Sequence, residues 1–306
     1  MNFEALADCL TTASCFVPRL LGGLASAAVI YLVASGLSLV FGVMGVLNFA
    51  HGSLYMLGAY LGYTVADVIA GGTGNLALVG ALVIAPLLVA LFGGVMEVSF
   101  LRRIYGRELL YQLLLTFAFI LLVNGLVHEV YGAQFITSPV PRALTGTVMV
   151  LGRPFPLYQL FLIVVAIVVG VALTLFIQRS RHGMILRATA EDPEMSRALG
   201  VNVPAVWTIV FMAGAALGGL GGSLAGPLRS LFPGMDLDVV VQAFLVVVIG
   251  GLGSLAGAAA GAVLVGLFRA FGVIVAPGLE LVFIYILVII ILIARPRGLA
   301  GREVAH

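Results

Sequence analysis

Residues 239–272 read VVVQAFLVVVIGGLGSLAGAAAGAVLVGLFRAFG. A helix rises ~1.5 Å per residue, so about 20 apolar residues cross a hydrocarbon core of about 30 Å. This run is too long for one crossing and short for two full ones. Its middle, Gly250-Gly251-Leu252-Gly253-Ser254, is a poor helix former. The run therefore predicts two shortened helices meeting at a glycine-rich break. Seven further apolar segments lie near 20–43, 50–70, 76–97, 109–130, 157–177, 206–226 and 276–294.

Composition agrees. Of the 306 residues 62% are hydrophobic and 9% charged, against roughly 25% charged in soluble domains, and the mean hydropathy is +1.22. So few charges cannot clothe a water-soluble surface around a core this large. The expected fold is all-α: a polytopic transmembrane helix bundle.

Every basic residue is Arg; the chain contains no Lys. That excludes a Walker A phosphate loop and Schiff-base chemistry on an ε-amine. The net charge of +2 supplies no basic patch for nucleic acid. No His/Cys pattern suggests a metal. Cys9 and Cys15 make no disulfide framework; two unpaired thiols are the favoured reading and a small loop bridge the alternative. Residues 1–18 carry Glu4 and Asp8 but no Arg, unlike the basic start of a signal peptide. The N-terminal segment is therefore expected to be retained.

The arginines orient the bundle through the positive-inside rule. Arg102, Arg103 and Arg107 share one loop; Arg179, Arg181, Arg187 and Arg197 share another; Arg295, Arg297 and Arg302 form the tail. These belong in the cytoplasm. The loops 131–156 and 227–238 hold only Arg142, Arg153 and Arg229, and face outward. Parity then puts the N-terminus outside and requires 239–272 to cross twice. The resulting organisation is an extracytoplasmic segment 1–19, a membrane domain 20–294 with a cytoplasmic loop 178–205, and a cytoplasmic tail 295–306.

Glycine marks the packing faces. Gly214, Gly218, Gly222 and Gly226 recur every fourth residue, as do Gly253, Gly257 and Gly261, with a shorter Gly58–Gly62 pair. Small residues at this spacing let backbones approach where lipid supplies no hydrophobic drive.

Polar groups at membrane depth come next. Gly42-Val43-Met44-Gly45-Val46-Leu47-Asn48-Phe49-Ala50-His51-Gly52-Ser53 interrupts an apolar region without a charged loop. Irregular backbone is tolerated in a bilayer only inside protein or along a wet cavity, and broken helices often mark a solute path. The plainer alternative is a surface turn in which Asn48 caps the next helix. Asn48, His51 and Ser53, with Gly250, Gly251, Gly253 and Ser254 in the second break, are the candidate path residues. The interrupted stretches 36–62 and 239–266 together point to an internal repeat. His51 and Ser53, two apart on a helix, point away from each other, which argues against an intramembrane hydrolase. Asn124 and His128 share a helical face as a second polar candidate. Asp67, Glu97 and Glu280 are expected to snorkel from helix ends.

Arg187 through Asn202 reads RATAEDPEMSRALGVN. Asp192 suits an N-cap, Pro193 the first helical position, and Gly200 the C-terminal stop. The product is a helix of about seven residues with Met195 and Leu199 on one face. It is too short to be stable alone and needs something to dock against: the protein's own inner surface, or a separate cytoplasmic subunit.

Three blocks, Gly36 through Gly52, Arg187 through Asn202, and Val248 through Ser254, resemble the H-type permease subunits of branched-chain amino-acid ABC importers, in family order over roughly residues 20–300. One departure is Ser53, where family members often carry Glu. The resemblance implies a permease domain in a bacterial inner (cytoplasmic) membrane, paired with a second related permease. It also implies two cytoplasmic ATPases that bind the ATP and Mg, and a periplasmic solute-binding protein. No cofactor is expected on this chain. By the same resemblance Arg187, Glu191, Asp192, Met195, Arg197 and Leu199 would form the ATPase-coupling element. Alternatives remain open: the same importer class carrying urea, amides or another small polar solute, or a channel or ion-coupled secondary transporter working without ATPases.

Overall fold

The computed structural model describes residues 3–70, 75–296 and 298–300. A short helix α1 (Phe3–Thr11) leads into α2 (Ala13–Met44), whose residues from Gly23 to Val40 are largely buried. Cys9 and Cys15 are disulfide-bonded across this junction. The loop bridge, not the pair of free thiols, is what the fold forms, because the turn at Thr12 folds α1 back onto the start of α2.

Six residues separate α2 from α3 (His51–Ala70). A continuous rod follows, from α4 (Asn75–Val79) through a π-helical turn at Gly80–Ile84 into α5 (Ala85–Ser99). Next come α6 (Leu109–Tyr131) and a hairpin of β1 (Thr147–Val150) and β2 (Arg153–Pro156). Its two-residue turn places both Leu151 and Gly152 at positive φ, which suits a tight hairpin connection. This is the one sheet among the described residues of an otherwise helical chain. The rest comprises α7 (Leu157–Arg179), α8 (Arg181–Glu191), α9 (Pro193–Ala198), α10 (Val203–Ala225), α11 (Met235–Gly250), α12 (Leu255–Val275) and α13 (Glu280–Ala294).

Six helical runs among the described residues are long and apolar enough to cross a membrane: 13–44, 77–103, 109–131, 157–179, 203–225 and 255–275. The chain is a multi-pass membrane protein, and six of the predicted apolar segments match helical runs to within about a turn, while the first, 20–43, lies inside α2, which begins seven residues earlier at Ala13. The eighth, 239–272, is two helices, as its length demanded. Helix α11, with 16 residues, is about 24 Å long and falls short of the hydrocarbon thickness.

The core is built on α2 and α10, which run antiparallel and cross where Gly214 meets Val40 and the Gly36 carbonyl. A Cβ on Gly222 would run into the Tyr55 carbonyl, and one on Gly58 into the Gly219 backbone. Gly219 in turn faces Val89 on α5. The predicted stripe on α10 therefore packs against α2 and α3 at once, and Gly226 reaches Ser138 beyond α6. The second stripe differs from its expected form. Gly257 and Gly261 do pack α12 onto the Gly250 and Val246 backbones of α11, but Gly253 lies in the turn, at φ +79, against Gly42.

One end of the bundle gathers the arginine-rich segments. Leu39, Val210, Ile177, Leu186 and Val206 share a cluster there. Arg102 bonds the Pro204 carbonyl, and Leu299 and Ala300 donate to the Ile249 and Gly250 carbonyls. At the opposite end Ile136 and Leu231 exchange backbone hydrogen bonds, and the Tyr158 hydroxyl donates to the Leu224 carbonyl. Arg297 and Arg302 lie outside the described residues.

Candidate functional site: a buried polar centre and an exposed docking helix

The break after α2 is not a turn at the bundle surface. Gly45 ends the helix in a left-handed conformation, and the chain doubles back into the protein. His51, the first residue of α3, arrives beside Val33, eleven residues before the end of α2. That is about 16 Å along the axis, so α3 begins deep in the bundle. The His51 Nε2–H donates to the Val33 carbonyl at 3.0 Å. Its Nδ1 is left buried without a partner. Asn48 is 0% exposed and neither polar atom of its side chain is bonded. It therefore does not cap α3.

A second deep helix start faces the first. After α10 the chain passes through residues 226–234, and α11 begins at Met235 with its first turn against α3. A Cβ on Gly52 would strike the Asp236 carbonyl. Asp236 is 1% exposed. Its Oδ2 accepts from the Ser53 hydroxyl at 2.7 Å and from the Asn124 amide at 2.7 Å, while Oδ1 is buried without a partner. Three helices, α3, α6 and α11, thus converge on one carboxylate in the core. Ser53 stands where the family resemblance led to an expectation of Glu, and a carboxylate is nevertheless present, supplied from α11.

Asp236 escaped the sequence reading because 227–238 looked like an outward loop and the apolar run begins at 239. The available signal was Gly234 followed by Asp236 and Asp238, an acidic first turn of the kind that complements a helix N-terminus. Asn124 pairs with Asp236 and the Ile120 carbonyl, whereas His128 and Glu129 are exposed. The expected Asn124–His128 face is not a polar pair.

The second predicted break sits elsewhere. Gly250, Gly251, Gly253 and Ser254 form the α11–α12 turn at the arginine-rich end. Gly251 has φ +101, the Ser254 hydroxyl accepts from the Gly257 amide as N-cap, and Gly298 packs on Gly251. The structure does not bring these four to Asn48, His51 and Ser53; Gly253 meets the first stretch at Gly42. The deep partner of the 45–50 break is residues 226–234. Two re-entrant connections, α2 to α3 and α10 to α11, meet at helix N-termini, which gives the suspected repeat a different second member.

The docking element forms as expected, one residue shorter. Asp192 Oδ1 accepts from the Glu194 amide at 3.0 Å and the Met195 amide at 2.8 Å, Pro193 opens α9, and Gly200 takes φ +88. Met195 is 57% and Leu199 77% exposed. Two large apolar side chains on a capped helix at the arginine-rich end are left without cover. Glu191 closes α8 and is exposed; the Arg187 guanidinium bonds the Ile177 carbonyl, tying α8 to α7.

From α9 a chain of contacts leads into the bundle. The Arg197 guanidinium lies over the Trp207 ring, 5.7 Å from its centroid. Trp207 meets Tyr105 edge to face at 5.3 Å. The Tyr105 hydroxyl donates to Glu97 at 3.1 Å, and Glu97 also takes the Thr208 hydroxyl at 2.7 Å and an ion pair from Arg102 at 3.3 Å. Glu97 is 0% exposed; it does not snorkel from its helix end but joins α5 to α10. Burial, and then the Glu97 carboxylate beside it, pushes the Tyr105 phenol well above its usual value.

A cavity of about 500 Å³ between α2, α7 and α12 has almost wholly apolar walls and offers little to orient a polar solute. A smaller one, about 280 Å³, opens at the other end beside α11.

Comparison with known proteins adds to this geometry. The chain is 30% identical over 297 residues to the high-affinity branched-chain amino acid transport system permease protein BraD of Pseudomonas aeruginosa, covering 94% of this chain and 96% of that one. It is 28% identical over 298 residues to LivH of Escherichia coli, a permease protein of the same description, with the same coverage. A probable branched-chain amino acid transport permease protein LivH of Methanocaldococcus jannaschii is 24% identical over 254 residues, 80% of this chain and 78% of that one. No solved structure matches the chain. The family model described as the permease component of branched-chain amino acid transport systems matches residues 19–292: with its re-entrant helix starts and exposed docking helix, the chain belongs to that family.

Proposed function

We propose that the chain is the membrane-spanning subunit of an ATP-driven importer for branched-chain amino acids, set in a bacterial inner membrane with its N-terminus outside and its arginine-rich end in the cytoplasm. Solute reaches it from a periplasmic binding protein. Two cytoplasmic ATPases bind the ATP and Mg, and a second, related permease completes the path. The chain itself performs no covalent chemistry.

The observation that carries the reading is α9. Met195 and Leu199 are exposed on a helix of six residues, too short to persist in water without a partner. Covering them with an ATPase subunit gives them a use. Closure of the ATPases then pushes α9, and the push passes through Arg197, Trp207 and Tyr105 to the Glu97–Arg102–Thr208 junction, where α5 and α10 are held together. Because the α10 glycines bring its backbone against α2 and α3, as where Gly222 meets the Tyr55 carbonyl and Gly218 the His51 ring, its displacement moves the deep start of α3. The inward- and outward-open states are then two packings that ATP binding biases.

A Met195→Glu/Leu199→Glu variant tests the coupling. Co-purification of the ATPases and ATP-driven leucine uptake in vesicles should both be lost while the permease still inserts. Normal association and uptake would overturn the reading. An ion-coupled transporter is the second reading, favoured by one observation, the buried Asp236 carboxylate. Uptake that follows a proton gradient in vesicles without ATP would support it over the importer.

A further inference from the structure

The cavity of about 280 Å³ lies at the end of the bundle opposite the arginine-rich surface. Its lining includes Tyr55 on α3, Phe135 beyond α6, Arg229 and Phe232 in the re-entrant 226–234 connection, and Met235 and Asp238 in the first turn of α11. Its volume is at the small end for ligand cavities, which suits one small metabolite. The walls are held in place by built contacts: Ile136 and Leu231 exchange backbone hydrogen bonds of 3.0 and 2.7 Å, and the Phe135 and Phe232 rings pack at 5.4 Å. Tyr55 is 1% exposed.

The cavity holds one cation and one carboxylate, Arg229 and Asp238, and no ion pair joins them. Two opposite charges sharing a small cavity without neutralising each other, beside aromatic and thioether side chains, match a molecule that carries both charges and an apolar tail. From this juxtaposition we infer that the cavity is the outward receiving site for a zwitterionic, apolar amino acid. Arg229 takes the α-carboxylate, Asp238 the α-ammonium, and Phe135, Phe232 and Met235 the side chain. The inference rests on the importer reading and adds to it a place on this chain where solute is first held. Met235 precedes Asp236 directly, so the site stands over the buried polar centre where the α3 and α11 helix starts meet.

The probe is L-photoleucine, whose diazirine inserts into neighbouring side chains on irradiation. It is applied to the transporter purified from membranes, with peptide mapping of the label and radiolabelled L-leucine uptake measured on the same preparation in vesicles. The label should map to Phe135, Phe232 or Met235 and be competed by excess L-leucine. Arg229→Gln and Asp238→Asn should each lower it about tenfold or more, as expected for losing a hydrogen bond to a charged group. Leucine amide, which lacks the carboxylate charge, should compete poorly in the wild type and no worse in Arg229→Gln. Leucine uptake by the wild type with labelling elsewhere, or with both variants labelled like the wild type, overturns the site and leaves the importer reading standing. A wild type that takes up no leucine overturns both. Asp238→Asn is isosteric, Arg229→Gln shortens a side chain that is only half-buried, and circular dichroism of each variant confirms folding.

Discussion

Replacing Asp236 should separate its contribution to stability from its contribution to transport. The carboxylate is 1% exposed, and one oxygen accepts both the Ser53 hydroxyl and the Asn124 amide at 2.7 Å. A hydrogen bond to a charged group contributes about 1.5–3 kcal/mol, whereas neutral interhelical bonds in membranes average only about 0.6 kcal/mol. Asp236→Ala removes two of the stronger kind and strands two donors, so a loss of about 2–5 kcal/mol is expected. Asp236→Asn keeps a carbonyl oxygen where Oδ2 stands and no longer buries a charge. Since desolvating a carboxylate costs several kcal/mol, the Asn variant should be as stable as the wild type or more so, yet transport less. In a double-mutant cycle with Asn124→Ala, the coupling to Asp236→Ala should reach about 1.5 kcal/mol or more. Unfolding in lipid–detergent micelles, followed by helical circular dichroism and by the fluorescence of Trp207, the single tryptophan, reads all three. A coupling below about 0.5 kcal/mol, or an Asn variant as unstable as the Ala variant, would refute the geometry and the role given to the carboxylate.

Gly222→Ala should be strongly destabilising, because its Cβ meets the Tyr55 carbonyl and neither backbone can yield; overpacking of this kind costs about 1–3 kcal/mol or more. Gly125→Ala, with nothing within 4 Å of its Cβ, should be neutral or gain up to about 1 kcal/mol from helix propensity, and folded yield after solubilisation ranks the two. The raised Tyr105 phenol binds its proton more tightly folded than unfolded. Its share of stability is therefore complete below about pH 10 and lost as the pH climbs above that. Unfolding measured at pH 8 and pH 11 should show a smaller alkaline loss in Tyr105→Phe than in the wild type; equal losses would remove Tyr105 from the Glu97 junction.

Much of the fold could be read in advance because its causes are local. Apolar length set the spans, and the Asp192, Pro193 and Gly200 punctuation set α9 to within a residue. What escaped depends on depth. Nothing in Asn48 through Ser53 tells a surface turn from a chain that turns back beside Val33. Nothing in 227–238 tells an outer loop from one that delivers Asp236 to the core. A hydropathy window reports whether a segment favours lipid, and a re-entrant segment favours neither lipid nor water; it is satisfied by protein. Glu97 was missed for the same reason, since its partners Tyr105, Arg102 and Thr208 come from two other stretches of chain. The Cys9–Cys15 bridge likewise needed the fold-back at Thr12, which spacing alone does not specify.

The sequence by itself determined that this chain lives in a membrane, which segments are apolar enough to be helices there, which segments carry the arginines, and that it lacks the lysine of an ATP-binding loop. Those properties follow from transfer energies and residue chemistry, which act on each segment separately. Only the tertiary structure decided that two helices begin in the interior, that α3, α6 and α11 meet on Asp236, and that glycines on α10 serve α2 and α3 together. Those features are contacts between segments far apart in the chain. Their energy exists only once backbones approach closely enough to make every buried polar group choose a partner.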